Sequence, residues 1–322
     1  MAQNHPDKIA IVGATGRIGG YFARALLKAG KHTITTLRRA DSKGKYPEGA
    51  KIVDVDFDDE SSLVKALEGQ QVLIITLSVR APPTLHSTIV KAAVKAGVPY
   101  IMPNTWGLYL TDELAKNSQY AANGLKLYQE IQDLGATYIA MGCGFWYEWS
   151  LGLGEPWYGF DIKARTVTFY DDGKTVINTS TWDQCARAIV ALLSLPLRGA
   201  FPALSDWDNR AVLVSSFRVS QRDMLDSLHR VLGTTDADWE ISYEQTDLRE
   251  KRGLKMAAAG DLRGIATSLY ARAFMPSSQS DFESRHGTDN EKLGLPKEDL
   301  DEATKRTVDM VNDGFSPMTQ FS

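Results

Sequence analysis

Residues 8–19 read Lys-Ile-Ala-Ile-Val-Gly-Ala-Thr-Gly-Arg-Ile-Gly, and this stretch decides the fold. The apolar run at residues 9–12 predicts a short buried strand. Gly13 breaks that run, and an apolar pattern with helical spacing then begins at about Gly16 and stops at Gly30. The stretch is therefore predicted to be a strand, a glycine-rich turn and a helix.

The glycines of this turn stand at positions 13, 16 and 19. Gly13 allows a tight turn off the strand, Gly16 lets the backbone approach a diphosphate, and Gly19 lets the helix lie close to the sheet. The amides of Gly16, Arg17 and Ile18 are expected to face the phosphates at the positive end of the helix dipole. This pattern favours dinucleotide binding over a tight turn without a ligand. The expected cofactor contacts in the turn are Gly13, Thr15, Gly16, Arg17, Ile18 and Gly19.

The composition is that of an ordinary soluble protein. The chain has 322 residues, enough for one large domain or two linked ones. Its formal net charge is −4, and it has no basic run beyond Arg38 and Arg39. A nucleic-acid surface needs many cations to neutralise phosphates, so we expect no nucleic-acid partner.

We also expect no metal site, no disulfide bond and no membrane-spanning segment. Cys143 and Cys185 are far apart and form no Cys-x-x-Cys pair, and the five histidines have no metal-binding spacing. The first residues lack the apolar centre of a signal peptide, and no apolar run is long enough to span a bilayer. We therefore expect a cytoplasmic protein with no metal and no membrane partner.

A second strand is predicted at residues 33–37, and it ends in Arg38 and Arg39. In dinucleotide-binding folds an acidic residue at this tip binds the ribose 2′-hydroxyl, whereas an arginine accepts a 2′-phosphate. No acidic residue stands at the tip of this strand, and guanidinium groups suit phosphate geometry. We therefore predict NADP(H) as the cofactor, the alternative being a solvated pair of charges at the start of a loop.

Alternating strand and helix patterns fill the rest of the first half. Further strands are predicted at residues 52–57, 71–77, 100–102 and 137–141. This alternation predicts an α/β fold with a doubly wound parallel sheet, in which ligands bind beyond the carboxyl ends of the strands. The contacts expected there are Asp56 and Phe57 beside the adenine, and Thr76, Leu77, Ser78 and Pro103 over the crevice.

Residues 144–160 are unusually rich in aromatic side chains and glycine. Aromatic residues at the end of a strand can line an apolar pocket, or they can pack a second subdomain onto the first. Both alternatives remain open for any one ring. The expected substrate contacts are Trp106, Tyr109, Phe145, Trp146 and Trp149.

The Tyr-x-x-x-Lys pattern used by many short-chain reductases occurs only at Tyr170 and Lys174. These residues flank Asp171-Asp172-Gly173, which we predict to be the turn of a hairpin joining strands at residues 166–170 and 174–179. The match is therefore interpreted as accidental. A redox enzyme of this fold needs its proton donor elsewhere.

The best candidate for that donor is Lys126, on the helix predicted at residues 119–134. A partly desolvated lysine has a lowered pKa and can act as a general acid or base, the alternative being a solvated lysine on a helix face. Asn104 could orient a substrate carbonyl, and Tyr147 could donate a proton.

Several stretches resemble a known family. Gly-Ala-Thr-Gly-Arg-Ile-Gly-Gly, Leu-Arg-Arg, Asp-Val-Asp-Phe and Pro-Asn-Thr-Trp-Gly are similar to the isoflavone reductase and phenylcoumaran benzylic ether reductase group of the NmrA-like atypical short-chain dehydrogenases. The stretch at residues 142–151 resembles the fungal CipA-type branch. The likeness extends well to about Leu195.

The resemblance implies an NADPH-binding Rossmann domain at residues 1–155 and a smaller α+β substrate subdomain at 156–322, with residues 181–217 returning to the first sheet. It implies hydride transfer from NADPH to an enone or benzylic carbon of an aromatic substrate. It also places the catalytic lysine, which lies by the cofactor, on the helix that carries Lys126. The family often has Lys-x-Lys there, and this chain has Gly124 at the first of the two positions.

Together these features predict an NADPH-dependent reductase of a small, largely apolar, aromatic metabolite, acting as a monomer or homodimer. Two alternatives remain. One is a regulator that senses NADP without turnover, and the other is a non-redox enzyme that keeps NADP as a structural cofactor.

Overall fold

The computed structural model describes residues 4–78, 80–275 and 277–316. Val79, which directly follows the predicted contact Ser78, lies outside the described residues. The chain divides into two units. The first contains the chain up to Gly142 together with Trp182–Val214 and Asp289–Leu295. The second contains Cys143–Thr181, Ser215–Thr288 and the part that begins at Pro296.

The strands are short, as is usual in α/β proteins. In chain order they are β1 (Lys8–Val12), β2 (Thr33–Arg38), β3 (Lys51–Asp54), β4 (Val72–Ile75), β5 (Tyr100–Met102), β6 (Trp106–Gly107), β7 (Thr137–Gly142), β8 (Phe145–Trp146), β9 (Phe160–Asp161), β10 (Thr166–Tyr170), β11 (Ile177–Ser180), β12 (Arg210–Leu213), β13 (Phe217–Val219) and β14 (Glu240–Glu244).

The helices range from single turns to four turns. In chain order they are α1 (Arg17–Ala29), α2 (Glu60–Leu67), α3 (Leu85–Lys95), α4 (Asp112–Ala115), α5 (Gln119–Asp133), α6 (Tyr147–Gly152), α7 (Trp182–Leu193), α8 (Gln221–Leu232), α9 (Thr246–Ala258), α10 (Arg263–Ala273), α11 (Glu283–His286) and α12 (Leu300–Asn312). Among the described residues, none of these helices combines the length and apolarity that a membrane span requires.

The first unit is built on one parallel sheet with the strand order β12-β7-β5-β4-β1-β2-β3, and the short β6 pairs with β7. Each of these pairings is parallel. The chain moves outward from β1 to β3 and then crosses to the other side of β1 to form β4. The carboxyl ends of β1 and β4 therefore form the switch point where such sheets bind ligands. The predicted doubly wound Rossmann-type sheet is confirmed.

The core of the first unit lies on both faces of this sheet. Residues 9–11 and Val72–Ile75 are completely buried, as expected for central parallel strands covered by helices. On one face α1 buries Ile18, Phe22 and Leu26 and packs against α7. Strand β12 and helix α7 both come from Trp182–Val214, so the first sheet is completed only by a segment from the second half of the chain.

The second unit holds two small sheets and six helices among the described residues. Its sheets have the orders β14-β10-β9 and β13-β11-β8. Helices α9 and α10 form a tight pair, because a Cβ on Gly264 would lie 2.4 Å from the Gly253 carbonyl oxygen. The guanidinium of Arg249 on α9 is completely buried and is paired with Glu155 and Glu244.

The hairpin predicted across Asp171-Asp172-Gly173 is wrong. Strand β10 pairs with β14 and β9, whereas β11 belongs to the other sheet. After β10 the amide of Asp171 donates to the carbonyl of Glu244, and its carboxylate accepts from the amide of Thr246 at 3.0 Å. These long-range bonds fix Asp171 beside β14, so local turn residues did not decide the pairing.

Candidate functional site

The turn after β1 is shaped by contacts with the end of β4. Gly13 has a φ of +85°, and a Cβ there would lie 2.1 Å from the carbonyl oxygen of Thr76. A Cβ on Gly19 would lie 2.3 Å from Thr76 Oγ1 and 2.4 Å from the Gly13 carbonyl oxygen. The Thr76 hydroxyl itself donates to the carbonyl of Val12 at 2.7 Å. Both positions therefore require glycine so that β1, β4 and α1 can meet.

Gly16 is under a different constraint. It is exposed, and the atom closest to a Cβ built there is the Gly13 carbonyl oxygen at 3.1 Å. The Gly16 amide donates to that same oxygen at 2.8 Å. The expectation that this amide faces the phosphates is therefore corrected, because the turn itself uses it. The open side of Gly16 still allows a ligand to approach the backbone.

Helix α1 starts without a side-chain cap, since its N-cap residue is Gly16. The starts of α2, α5 and α8 are capped by Asp59, Ser118 and Ser220, whereas α3, α9 and α10 resemble α1 in having no side-chain cap. Among the described residues, the amides of Ile18 and Gly19 have no backbone acceptor. Uncapped amides at a helix N-terminus form a site for an anion.

Arg17 occupies the first position of α1, where the helix dipole disfavours a cation. Its guanidinium lies 5.1 Å from the centre of the Trp182 ring at the start of α7. Tyr21 stacks on the same ring at 5.5 Å. Burial lowers the pKa of Arg17, and interaction with Tyr21 opposes this shift in part. A bound anion would offset both the dipole and the desolvation.

The two arginines at the end of β2, Arg38 and Arg39, differ in their partners. Arg38 Nε lies 2.5 Å from Asp54 Oδ1, and the guanidinium lies over the Tyr46 ring at 5.6 Å. Hydrogen bonding to Arg38 holds the pKa of Asp54 below its usual range. Arg39 is exposed and forms no ion pair with any residue that the structure describes. The sequence placed no acidic residue at this tip, but the register of β2 and β3 supplies Asp54.

The remaining cofactor candidates lie at the carboxyl ends of β3, β4 and β5. Asp56 is exposed and accepts from the amide of Asp58, while Phe57 packs against the core of the first unit. Thr76 and Pro103 are buried, Leu77 is half-buried and Ser78 is exposed. The parallel sheet therefore brings these residues to the edge that carries the glycine turn.

Asn104 connects two strand ends. Its side-chain oxygen accepts from the Leu77 amide at 3.0 Å, and its side-chain nitrogen donates to the Leu77 carbonyl at 3.2 Å. Its own amide approaches Nε2 of His86, which is buried, and burial lowers the pKa of His86 to about 4. Asn104 therefore holds the ends of β4 and β5 together, and its amide group is already engaged.

Lys126 does not have the partial burial that the sequence suggested, because it is exposed on α5. The inward face of α5 instead carries Gly124 and Tyr128. A Cβ on Gly124 would lie 2.2 Å from Leu110 Cδ1 and 3.6 Å from Thr105 Cγ2. The position that points toward the end of β5 thus holds glycine, and Leu110 fills the space beside it.

A pair of buried hydroxyl groups that the sequence did not reveal lies next to Gly124. Tyr128 on α5 donates to Thr105 Oγ1 at 3.0 Å, and its ring stacks on Tyr138 at 4.6 Å. Burial raises the pKa of Tyr128, which keeps this hydroxyl protonated. The i, i+4 spacing of Gly124 and Tyr128 was visible in the sequence, but Thr105 joins them only through the fold.

Trp106 and Tyr109 differ in their exposure. The indole nitrogen of Trp106 donates to the Ile75 carbonyl at 2.6 Å, and its ring packs edge-on against Phe22. Trp106 is thus part of the core and does not line an open substrate pocket. Tyr109 is half-buried, and its Cβ lies beside Gly142 at the end of β7.

The other aromatic candidates belong to the second unit. Tyr147 is completely buried, bonds to Thr304 through its hydroxyl at 2.7 Å, and has a pKa raised by burial. Phe145 is buried and stacks on Tyr270. Trp146 and Trp149 are half-buried and meet edge to face at 6.3 Å. Of this set, the two tryptophans retain surface that a ligand can contact, whereas Tyr147 does not.

Comparisons with known proteins agree with this architecture. Residues 5–128 match the model of the NmrA-like family. The narrower resemblance to a fungal CipA-type branch stays a prediction.

Three relatives illustrate the relationship. The oxidoreductase aprR of Aspergillus flavus is 25% identical over 304 residues, which cover 92% of this chain and 96% of that protein. The isoflavone reductase homolog P3 of Arabidopsis thaliana is 31% identical over 191 residues, covering 53% of this chain and 60% of that protein. The crystal structure of the NADPH-dependent quinone oxidoreductase QOR2 of Escherichia coli with NADPH superposes with a TM-score of 0.62 at 18% identity, covering 93% of this chain and 99% of the other. The last similarity shows a shared fold.

Proposed function

We propose that this chain is an NADPH-dependent reductase of a small organic molecule. The observation that carries the proposal is the uncapped start of α1 beside Arg17, at the switch point of the sheet. That combination fits an anionic diphosphate in an NmrA-like chain whose relatives include proteins named oxidoreductase and isoflavone reductase homolog. The coenzyme is NADP(H), and its function is to supply a hydride.

The described residues fit both charged groups of this coenzyme, its diphosphate and its 2′-phosphate. The open side of Gly16 and the amides of Ile18 and Gly19 would receive the diphosphate. Arg39 would bind the 2′-phosphate, because its guanidinium forms no ion pair in the described parts of the chain. Arg38 would contribute less, because Asp54 already neutralises part of its charge.

The inferred substrate class rests on exposed aromatic side chains and on the names of similar proteins. Trp146 and Trp149 keep exposed ring surface, which favours a flat, largely apolar molecule. Two relatives are named after isoflavone reductase and quinone oxidoreductase, and both names denote acceptors with conjugated carbonyl groups. We therefore infer an aromatic or quinone-like acceptor with a conjugated carbonyl group.

The hydroxyl groups of Thr105 and Tyr128, beside the end of β5, are our first candidates for supplying the proton, in preference to Lys126. Because Thr105 Oγ1 accepts a hydrogen bond from the Tyr128 hydroxyl, the Thr105 hydroxyl can itself donate to another acceptor, such as a substrate oxygen. Lys126 is the second candidate, acting as an exposed cation. In either case the side chain polarises the acceptor, and the coenzyme performs the reduction.

Coenzyme titration and turnover test the proposal together. We expect NADPH to bind more tightly than NADH, and NADPH absorbance to fall in the presence of a quinone or an enone. Thr105→Val and Tyr128→Phe should lower kcat by about tenfold or more if the hydroxyl pair polarises the acceptor. Lys126→Ala should have a smaller effect, with exposed Lys91→Ala as the matched control. No binding of either coenzyme by folded protein would refute the proposal.

A coenzyme-sensing regulator is the second candidate. Gly124 and the exposed position of Lys126 favour it, because neither supplies a buried catalytic lysine on α5. Such a regulator would bind NADPH and NADP⁺ with different affinities and would show no turnover with any member of a panel of quinones, enones and aryl ketones. Turnover with one of these acceptors would exclude it.

A further inference from the structure

The outward side of α1 borders a groove of about 570 Å³ in the first unit. Its cationic side chains are Arg24 and Lys28 from α1 and Lys45 from the segment between β2 and β3. Its apolar surface comes from Leu27, Tyr46 and Pro47. The groove is largely open to solvent, and its volume is comparable with that of pockets that hold small organic ligands. Nothing in the proposed reductase chemistry uses this groove.

The groove is lined by more positively charged than negatively charged side chains. Among the residues described, Arg24, Lys28 and Lys45 form no ion pair, and neither does Glu48, the one acidic residue of the lining. Arg24 lies over the Tyr21 ring at 5.0 Å and has no carboxylate partner in the described parts of the chain. Three cations facing one acid leave an excess of positive charge, which an anion bound in the groove would offset.

The apolar lining decides what kind of anion fits. A Tyr46 ring, a proline and a leucine offer a surface for a flat apolar body, while the three cations suit a phosphate or a carboxylate. We propose that the groove formed by α1 and residues 45–48 is a second ligand site, which binds an aromatic phosphate or carboxylate separately from the coenzyme. This site goes beyond the proposed reductase activity and does not depend on it.

The groove is displaced from the diphosphate turn along α1. Arg24 and Lys28 follow Gly16 by two and three helical turns, which places them roughly 12 and 18 Å along the helix axis. The coenzyme diphosphate at Gly16 therefore does not reach these two cations. The 2′-phosphate end comes closer, because Arg38 lies over Tyr46 of the lining. Titration of NADPH-saturated protein therefore decides whether both ligands bind together.

The same groove is connected to the coenzyme contacts through its wall. The Tyr46 ring that lines it also lies under the guanidinium of Arg38, and the Tyr46 hydroxyl bonds to Ser42 Oγ at 3.2 Å. Two residues before Tyr46, a Cβ on Gly44 would lie 2.8 Å from Thr15 in the glycine turn. A ligand that fixes Tyr46 is therefore expected to change NADPH affinity, and NADPH must change the ligand's affinity by the same factor.

Calorimetric titration of 1-naphthyl phosphate into full-length protein saturated with NADPH tests the site. We expect binding that inorganic phosphate reproduces only weakly, because the naphthyl ring supplies the apolar contact. 1-Naphthoate in a parallel arm distinguishes a phosphate site from a carboxylate site. Arg24→Ala or Lys28→Ala should weaken binding about two- to fivefold each and the double variant about tenfold, since exposed charge pairs contribute modestly. Lys31→Ala, just beyond α1 and outside the groove, is the matched control and should bind normally.

Three results would overturn the proposal. These are no binding of either naphthyl compound, equal binding by the Arg24→Ala/Lys28→Ala variant, or binding to coenzyme-free protein that saturating NADPH abolishes. The last result would make the groove part of the coenzyme site. If the protein failed to bind NADPH at all, the reductase proposal would fail, and the titration of coenzyme-free protein would still decide the groove.

Discussion

The guanidinium of Arg17 lies 5.1 Å from the centre of the Trp182 ring, although the two residues come from opposite halves of the chain. The contact joins the first turn of α1 to the first turn of α7, and Tyr21 stacks on the same indole. It holds a cation at a helix start where the dipole disfavours one. Arg17 is therefore fixed beside the glycine turn before any ligand arrives.

Removing the contact between Arg17 and Trp182 should weaken coenzyme binding. Trp182→Leu is expected to raise the dissociation constant for NADPH about three- to tenfold, because an aromatic–guanidinium contact contributes about 0.5–2 kcal/mol. Trp182→Phe keeps an aromatic face and should lose less. Thermal unfolding of both variants monitors the fold, since Trp182 is buried. Equal NADPH affinity in all three proteins would remove Trp182 from coenzyme binding.

The two glycines after Gly13 should respond differently to alanine. Gly19→Ala should destabilise the fold by about 1–3 kcal/mol or more, because its Cβ would collide with Thr76 Oγ1 and the Gly13 carbonyl. Gly16→Ala should lower the melting temperature less than Gly19→Ala, because its Cβ would lie 3.1 Å from the Gly13 carbonyl oxygen rather than in collision with it. It should weaken NADPH binding at least tenfold. Denaturant unfolding and coenzyme titration of both variants separate the effects. The prediction fails if Gly16→Ala unfolds as easily as Gly19→Ala.

Selection of the 2′-phosphate should depend mainly on Arg39. Arg39→Ala is expected to raise the KM for NADPH about tenfold and to leave the KM for NADH unchanged. The reason is that Arg39, unlike Arg38, forms no ion pair with the residues that the structure describes. Arg38→Ala should have a smaller effect.

Asp54→Asn provides the complementary test. Removing the carboxylate frees Arg38 from its ion pair, so NADPH should bind several-fold more tightly. The comparison of NADPH with NADH in each variant is the control for general damage. A larger loss from Arg38→Ala than from Arg39→Ala would reverse this assignment.

Stability at acid pH should depend on the buried Arg249. Hydrogen bonds from Arg252 and Arg249 outweigh the burial that would raise the pKa of Glu244, and they hold this pKa below its ordinary value. The stabilisation from Glu244 is therefore complete above the ordinary glutamate pKa and is lost as the pH falls through the lower folded value. Denaturant unfolding between pH 7 and pH 3 should show this loss.

Arg249→Met should be about 1–3 kcal/mol less stable than the wild type at neutral pH, because Glu155 and Glu244 lose the hydrogen bonds of a buried guanidinium while Arg252 remains beside both. Its stability should also fall less steeply with acid, since Glu244 loses one of its two arginine partners. Lys251→Met, on the exposed side of α9, is the matched control. Parallel pH profiles for Arg249→Met and the wild type would contradict the assignment.

Much of the first unit was predictable from the sequence because its signals are local. Central strands read as apolar runs, and Tyr100–Met102 was predicted with its observed bounds. The glycine spacing indicated the turn before α1, and the helix predicted at residues 119–134 corresponds to α5 at Gln119–Asp133. Side-chain periodicity and turn residues act over a few positions, so they can be recognised without a fold.

Predictions that depended on distant neighbours were less successful. Burial of Lys126 could not be judged from α5 alone, because the inward face is set by Thr105 and Leu110. The hairpin after β10 looked favourable locally, but pairing with β14 prevailed. The acidic partner of Arg38 came from the next strand in the sheet rather than from the chain beside it.

The sequence by itself determined a strand, a glycine turn and a helix in the order that a dinucleotide requires, because backbone conformation and apolar spacing are written into adjacent residues. Only the tertiary structure decided which charges and rings stand around that turn. Strand register placed Asp54 against Arg38, and helix packing placed Trp182 against Arg17. Such contacts depend on which distant surfaces are buried together, and no short stretch of the chain contains that information.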